Sequence, residues 1–308
     1  IRNHGGTSAV TIDGVTFNNA EFENGMLLET FGSATMTALV QNNNVSNADS
    51  DGIMANSNDN STMNVTIRNN VFNGTSAGTL SDNAVSLGSG GTSTLRFLLH
   101  DNDFLNSHNS AVVCNWNESS KVHGQVTNNT FNNTTVGGGL YCDVIDDDAT
   151  VRLLVSGNEF SNINIQSLRF NVVDSARLDL TLLNNNVTTL PKSGDTLENV
   201  EIQAGADNDQ LGAELYLEMS GNTIARGGLG GLYDALYLYE DLFVNDVGQG
   251  PTSAVVAVER GTSVSNDPAT VIANNNPGVD GVFVDNTGGA IGILSNDTVL
   301  NPEATPLP

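Results

Sequence analysis

The stretch VTNNTFNN, residues 126–133, is rewritten along the chain as IRNNVFNG at 67–74, LHDNDFLN at 99–106 and VSGNEFSN at 155–162. Taking the second residue of each four-letter core gives Asn43, Asn70, Asn102, Asn129, Asn158, Asn185 and Asn222, with successive spacings of 27, 32, 27, 29, 27 and 37 residues. One structural unit of about 28 residues is therefore being repeated, and a period of that size signals stacked repeats. Ahead of each Asn, apolar residues stand seven, five and three positions earlier, and another follows two positions later. Examples are Met63, Val65, Ile67 and Phe72; Val151, Leu153, Val155 and Phe160; Leu215, Leu217, Met219 and Ile224. Period two over several residues means a strand with one buried face. The Asn interrupts that alternation at the same place each time. It is expected at a bend, because Asn tolerates the left-handed conformation and its amide bonds to nearby backbone.

A second strand follows in most units: DGIMA at 51–55, NAVSL at 83–87, SAVVC at 110–114, GGLYC at 138–142, QSLRF at 166–170 and NVEIQ at 199–203. A hairpin sandwich would not hold so constant a register over so many units. Coiling the chain so that each turn lies on the last does hold it. Equivalent strands then pair in parallel about 4.8 Å apart, and equivalent side chains stack in ladders.

The phrase resembles the parallel β-helix repeat of the pectate-lyase-like superfamily. It is similar in particular to the Asn-rich repeats of large bacterial surface proteins and adhesins, in which a strand is followed by N-x-F/I/V and a Gly-led second strand. The match covers residues 10–225. The resemblance implies an all-β fold, a right-handed parallel β-helix built as a single-stranded solenoid, and about 28 residues per turn then gives about 10–11 coils and roughly 50 Å of length. It also implies that Asn70, Asn102, Asn129, Asn158 and Asn185 form an internal ladder of side-chain hydrogen bonds at one corner. One domain is expected over residues 1–300, regular over 10–225 and less regular over 226–300, with Asn245, Asn275 and Asn296 as further corners. VTIDGVTFNN at 10–19 reads as a partial coil with Phe17 in the aromatic slot, and NPEATPLP at 301–308 reads as a proline-rich linker to further chain.

Ten Lys and Arg against 35 Asp and Glu give a net charge of -25, which disfavours nucleic acid and anionic membranes as partners. Such acidity suits salty water or divalent cations. No run approaches the roughly 20 apolar residues of a membrane span, so no membrane insertion is expected. Cys114 and Cys142 fall in equivalent slots of the second strand and should be stacked neighbours, as buried thiols or as a bridge between coils.

Chemistry on a solenoid has to sit outside. The outward positions of the first strand carry Arg68, Arg96, His100, Lys121, His123, Arg152 and Arg177, with Arg96, His123 and Arg152 in one column of successive turns. Arg68, Arg96, His123, Arg152 and Arg177 are the candidate ligand-binding residues, for a sulfated or uronic polysaccharide or an acidic surface on a second copy. The competing reading is that their stems cover apolar surface beside the outward Leu98 and Leu154 and balance nearby acids.

Asp143, Asp146, Asp147 and Asp148 are the candidate metal ligands. They would bind Ca²⁺ or supply an acid and base, or else form a hydrophilic turn. GGLGGLYD at 227–234 resembles a calcium-binding glycine repeat, with Leu232 where Asp is required. Tyr216, Tyr233, Tyr237 and Tyr239 crowd one region and suit either sugar stacking or the core. No cofactor is required, and Ca²⁺ is the one candidate. The expected function is a non-enzymatic extracellular structural or adhesive repeat domain of a bacterial surface protein or filament. Its expected partners are other copies of itself or a cell-surface protein or polysaccharide. The alternative is a lyase or glycoside hydrolase acting on an acidic polysaccharide.

Overall fold

Each repeat folds as one coil of three strands and three corners. In the coil that holds the decisive phrase these strands are Val112–Trp116, Lys121–Thr127 and Thr130–Asn132. The computed structural model describes residues 1–18, 24–74, 83–188, 198–205, 212–226, 236–240, 255–285, 291–296, 298–300 and 302. Among them, equivalent strands of successive coils pair in parallel into two ten-stranded sheets and one nine-stranded sheet. The register repeats with the sequence: Thr94–His100 pairs residue by residue with Lys121–Thr127, and that strand with Thr150–Ser156. The chain is therefore an all-parallel β-helix, and Pro268–Asn275 is the only helix among the described residues.

Two features of the coil differ from the sequence pattern. The strands of the first sheet begin about two residues later than their motifs, at Ile53, Val85 and Val112. The residues after each ladder Asn form a third sheet of two- and three-residue strands, too short to show an alternation.

The bend is not at the ladder Asn. The left-handed residue is the one before it: Asn42, Asn69, Asp101, Asn128 and Asn184 have φ between 52° and 57°, and Gly14, Gly157 and Gly221 take the same place in other coils. Reversing the backbone there turns the next side chain into the coil. The Asn129 backbone N–H and Nδ2 both donate to Oδ1 of Asn158, at 2.9 and 3.0 Å, and Nδ2 also donates to the Leu99 carbonyl at 3.0 Å. Its own Oδ1 accepts from the N–H and Nδ2 of Asn102, both at 3.0 Å. The pattern runs unbroken from Asn43 through Asn70, Asn102, Asn129, Asn158, Asn185 and Asn222 to Asn276.

The last member is thus Asn276 and not Asn275, which instead bonds to Thr262 N–H and the Arg260 carbonyl, both at 3.0 Å. The helix Pro268–Asn275 delivers Asn276 to the slot as its C-cap. Asn296 is exposed and donates to the Gly261 carbonyl, away from the ladder, while Asn245 lies outside the described residues.

Beside the ladder runs a column of rings. Phe72, Phe104, Phe131 and Phe160 stack with centroid separations of 5.0, 4.8 and 4.4 Å. Phe17 and Val45 continue the column at one end, and Val187 and Ile224 at the other. Gly124 interrupts the inward apolar positions of its strand because a Cβ there would lie 2.2 Å from the Phe97 ring. Cys114 and Cys142 are register partners in the first sheet, and both are buried thiols with no disulfide between them. Near the C-terminal end, the N–H groups of Thr298 and Val299 donate to Glu259 at 2.5 Å, and that of Leu300 to Asp179 at 3.3 Å. Residues 298–300 therefore cross the outer face of the second sheet. Of the expected linker 301–308, all but Pro302 lies outside the described residues.

Asn129→Ala leaves two buried donors of Asn102 without an acceptor and is expected to cost about 2–4 kcal/mol in urea unfolding. Asn129→Asp should cost more, because a carboxylate cannot donate to Leu99 and would face the Asn158 oxygen. An Asp variant as stable as the Ala variant would contradict the ladder. Phe131→Ala, which opens a hole inside the ring column, is expected to cost about 3–5 kcal/mol in the same assay.

Candidate functional site

The second sheet presents its outward residues in columns one coil apart. In TVRLLVS at 150–156, burial of Val151, Leu153 and Val155 leaves Arg152 and Leu154 facing out. Register places Arg96, His123 and Arg152 in one column, followed by Asp179 and Tyr216. Lys121, Thr150, Arg177 and Glu214 form the column two residues upstream. Arg68 stands in a third column, beside His100. The five candidate ligand-binding residues thus share one face, and only three share a column.

The two ends of this basic stripe are committed to internal partners. Arg177 grips Asp179 with Nε and Nη2, each at 2.9 Å, and reaches Glu214 at 3.4 Å. Its guanidinium also lies 4.4 Å from the Tyr216 ring centroid. The Asp179 hydrogen bonds raise the Arg177 pKa, and burial, helped by the charge of Glu214, raises that of the Tyr216 phenol. Asp179 is 1% exposed, so Arg177 serves as its counter-ion. At the other end, Arg68 donates to Gln41 at 2.9 Å. Nearby, hydrogen bonds from Asn42 and Gln41, with a smaller contribution from Arg68, hold the Asp13 carboxyl below its usual range.

Between these ends lies a pocket of about 270 Å³ lined by Lys121, His123, Thr150 and Arg152. Arg152 has no hydrogen bond or ion pair among the described residues, and its register neighbour Asp179 is held by Arg177. Leu98 and Leu154 face outward, as expected, and are half-buried. Lys121 and Thr150 were not among the candidate ligand-binding residues. Their place in the wall depends on the pairing of coils 29 residues apart, and Thr carries no signal of its own.

Of the acidic candidates, Asp146 and Asp147 come together with Asp174 of the next coil, their carboxylate oxygens within 4.8 Å of one another. Asp148 is exposed and outside this group, and the Asp143 side chain lies outside the described residues. Asp174 is absent from the sequence candidates because its turn, VDSA, carries one acid where the preceding turn carries three. Ca²⁺ takes six to eight oxygens, so the group offers part of a coordination shell. The turn also has a structural task. Asp147 accepts from the Glu118 N–H at 3.2 Å, Glu118 from the Gly91 N–H, and Asp59 from the Gly32 N–H at 2.9 Å. Each carboxylate thereby ties its turn to the coil before. The glycine stretch 227–234 with Tyr233, and the side chains of Tyr237 and Tyr239, lie outside the described residues.

Fold and face together define a parallel β-solenoid with a cationic pocket on an otherwise acidic molecule. No protein family, curated protein or solved structure matches the chain. No helix among the described residues is long and apolar enough to cross a membrane.

The two arginines should differ sharply in their effect on stability. Arg177→Ala strands the buried Asp179 and is expected to cost about 2–3 kcal/mol. That is less than for a fully buried pair, because part of the guanidinium is in water. Arg152→Ala should change stability by no more than about 0.5 kcal/mol. Denaturant unfolding of the two variants checks the contrast.

Proposed function

We propose that this chain is a non-enzymatic, rigid repeat segment of an extracellular bacterial surface protein or surface filament, kin to the pectate-lyase-like β-helices and their adhesin relatives. The observation that supports this best is where the repeated residues go. The ladder Asn residues, the ring column and the carboxylate-capped turns all bond coil to coil, so the repeated phrase is used in construction. Other copies of the chain, or a cell-surface protein or polysaccharide, are its partners.

Self-association through the ends is part of this reading. Val10, Ile12 and Phe17 at one end, and Val282, Val284 and Ile293 at the other, are only partly buried on edge strands. The pocket on the second sheet favours a second reading, a lyase or hydrolase acting on an acidic polysaccharide.

Incubation with acidic and neutral polysaccharides, with Ca²⁺ present or chelated, separates the two. The structural reading expects no new reducing or unsaturated ends. Their appearance with the native chain, and loss in an Arg96→Ala/Arg152→Ala variant, would replace it with the enzymatic one. Light scattering and electron microscopy at rising concentration are expected to show end-to-end association, and a strict monomer throughout would remove that part.

A further inference from the structure

The pocket on the second sheet has a chemistry that a purely structural wall does not use. Its lining comes from two adjacent coils, with Lys121 directly beside Thr150 and His123 directly beside Arg152 in the register. Paired strands lie about 4.8 Å apart, so the four side chains converge on one spot. Lys121 and Arg152, diagonal to each other on neighbouring strands, are like charges and repel. A chain with 35 acids and 10 bases has ample means to place a carboxylate among them. Yet no carboxylate lines the pocket among the described residues.

The nearest acid in the column, Asp179, is already neutralised. Both of its oxygens accept from Arg177, and one also accepts from the Leu300 N–H. Arg152 keeps its full charge and its forked N–H groups. A volume of about 270 Å³ holds several waters at about 30 Å³ each, or one small oxyanion with part of its shell.

We infer that this pocket is a binding site for a single oxyanion group, a sulfate, phosphate or carboxylate. The planar fork of Arg152 suits two oxygens of such a group, which an ammonium cannot match in geometry. Lys121 supplies a second charge, and the Thr150 hydroxyl supplies a neutral donor. His123, beside Arg152, completes the wall. The site is distinct from the basic stripe as a whole, because Arg68 and Arg177 are engaged elsewhere. It does not depend on the structural role proposed above, since a rod or an enzyme would carry it equally.

The test is calorimetric titration of the full chain with sodium sulfate against sodium chloride at matched ionic strength. Wild type, Arg152→Gln, Arg152→Lys, Lys121→Gln and the remote control Arg2→Gln would be compared. Sulfate is expected to bind wild type and Arg2→Gln equally. The affinity should fall roughly tenfold or more in Arg152→Gln, and less in Arg152→Lys and Lys121→Gln. A second arm uses short sulfated and uronate oligosaccharides. Tighter binding than free sulfate, lost in Arg152→Gln, assigns the group to a polymer, and equal affinity assigns it to a free anion. Sulfate no better than chloride, with oligosaccharides that bind wild type and Arg152→Gln alike or not at all, would overturn the site.

Discussion

A side-chain amide buried in a protein interior needs partners for its oxygen and for both N–H bonds, or it costs more than it contributes. Here that requirement is met by stacking. Each ladder Asn from Asn43 to Asn222 finds an acceptor in the next coil and a backbone carbonyl in the coil before, so it is satisfied only when both neighbours are in register. A slip of one residue would put the apolar set outside and leave the amides unsatisfied. The ring column at the same corner acts in the same direction, since aromatic stacking adds specificity beyond area burial. Register, corner and core therefore stand or fall together, and the constancy of the outer face follows from them.

That outer face inherits its columns from the interior. Nothing in the chemistry of Arg96, His123 and Arg152 draws basic residues into line; the register does. What distinguishes one basic residue from another is its company. Arg177 neutralises a buried aspartate and is structural, Arg68 is tied to Gln41, and Arg152 is left with an open fork beside a pocket. The acidic turn is divided in the same way, with Asp147 used to tie down a neighbouring amide while it also stands in a carboxylate group with Asp146 and Asp174.

The ladder was implied by the family resemblance, and the period, the buried positions and the column of Arg96, His123 and Arg152 were all legible in the sequence, because each rests on a repeat that survives translation by one coil. Features that depend on local backbone or on partners from another coil were not. The sequence points to the ladder Asn as the bend, whereas the left-handed residue is its predecessor; a run of Asn-Asn pairs cannot say which member turns the chain. The intervening helix breaks the spacing, so the sequence points to Asn275 where Asn276 takes the slot. Three-residue strands are too short to alternate, so the third sheet leaves no pattern in the sequence. Thr150 and Asp174 enter their clusters only through cross-coil register, and the bonds of Glu259 and Asp179 to residues 298–300 join positions with no shared pattern.

The ladder also has two ends that differ in kind. Val15 occupies the slot before Asn43, donating its N–H to the Asn43 oxygen at 2.8 Å but offering no side-chain amide beyond. At the far end Asn276 spends its own N–H on the Ala273 carbonyl at 3.3 Å, inside the helix cap. Its Nδ2 is likewise spent on the Met219 and Ile272 carbonyls, so a copy docked on either end would gain strand pairing and apolar contact but no ladder bond. The arrangement resembles a zip with a stop at each end. Lengthening it by duplication is easiest in the middle, where a copied coil meets the same donor below and the same acceptor above, so gene-level expansion and contraction should fall between Asn43 and Asn222 and leave the two stops in place.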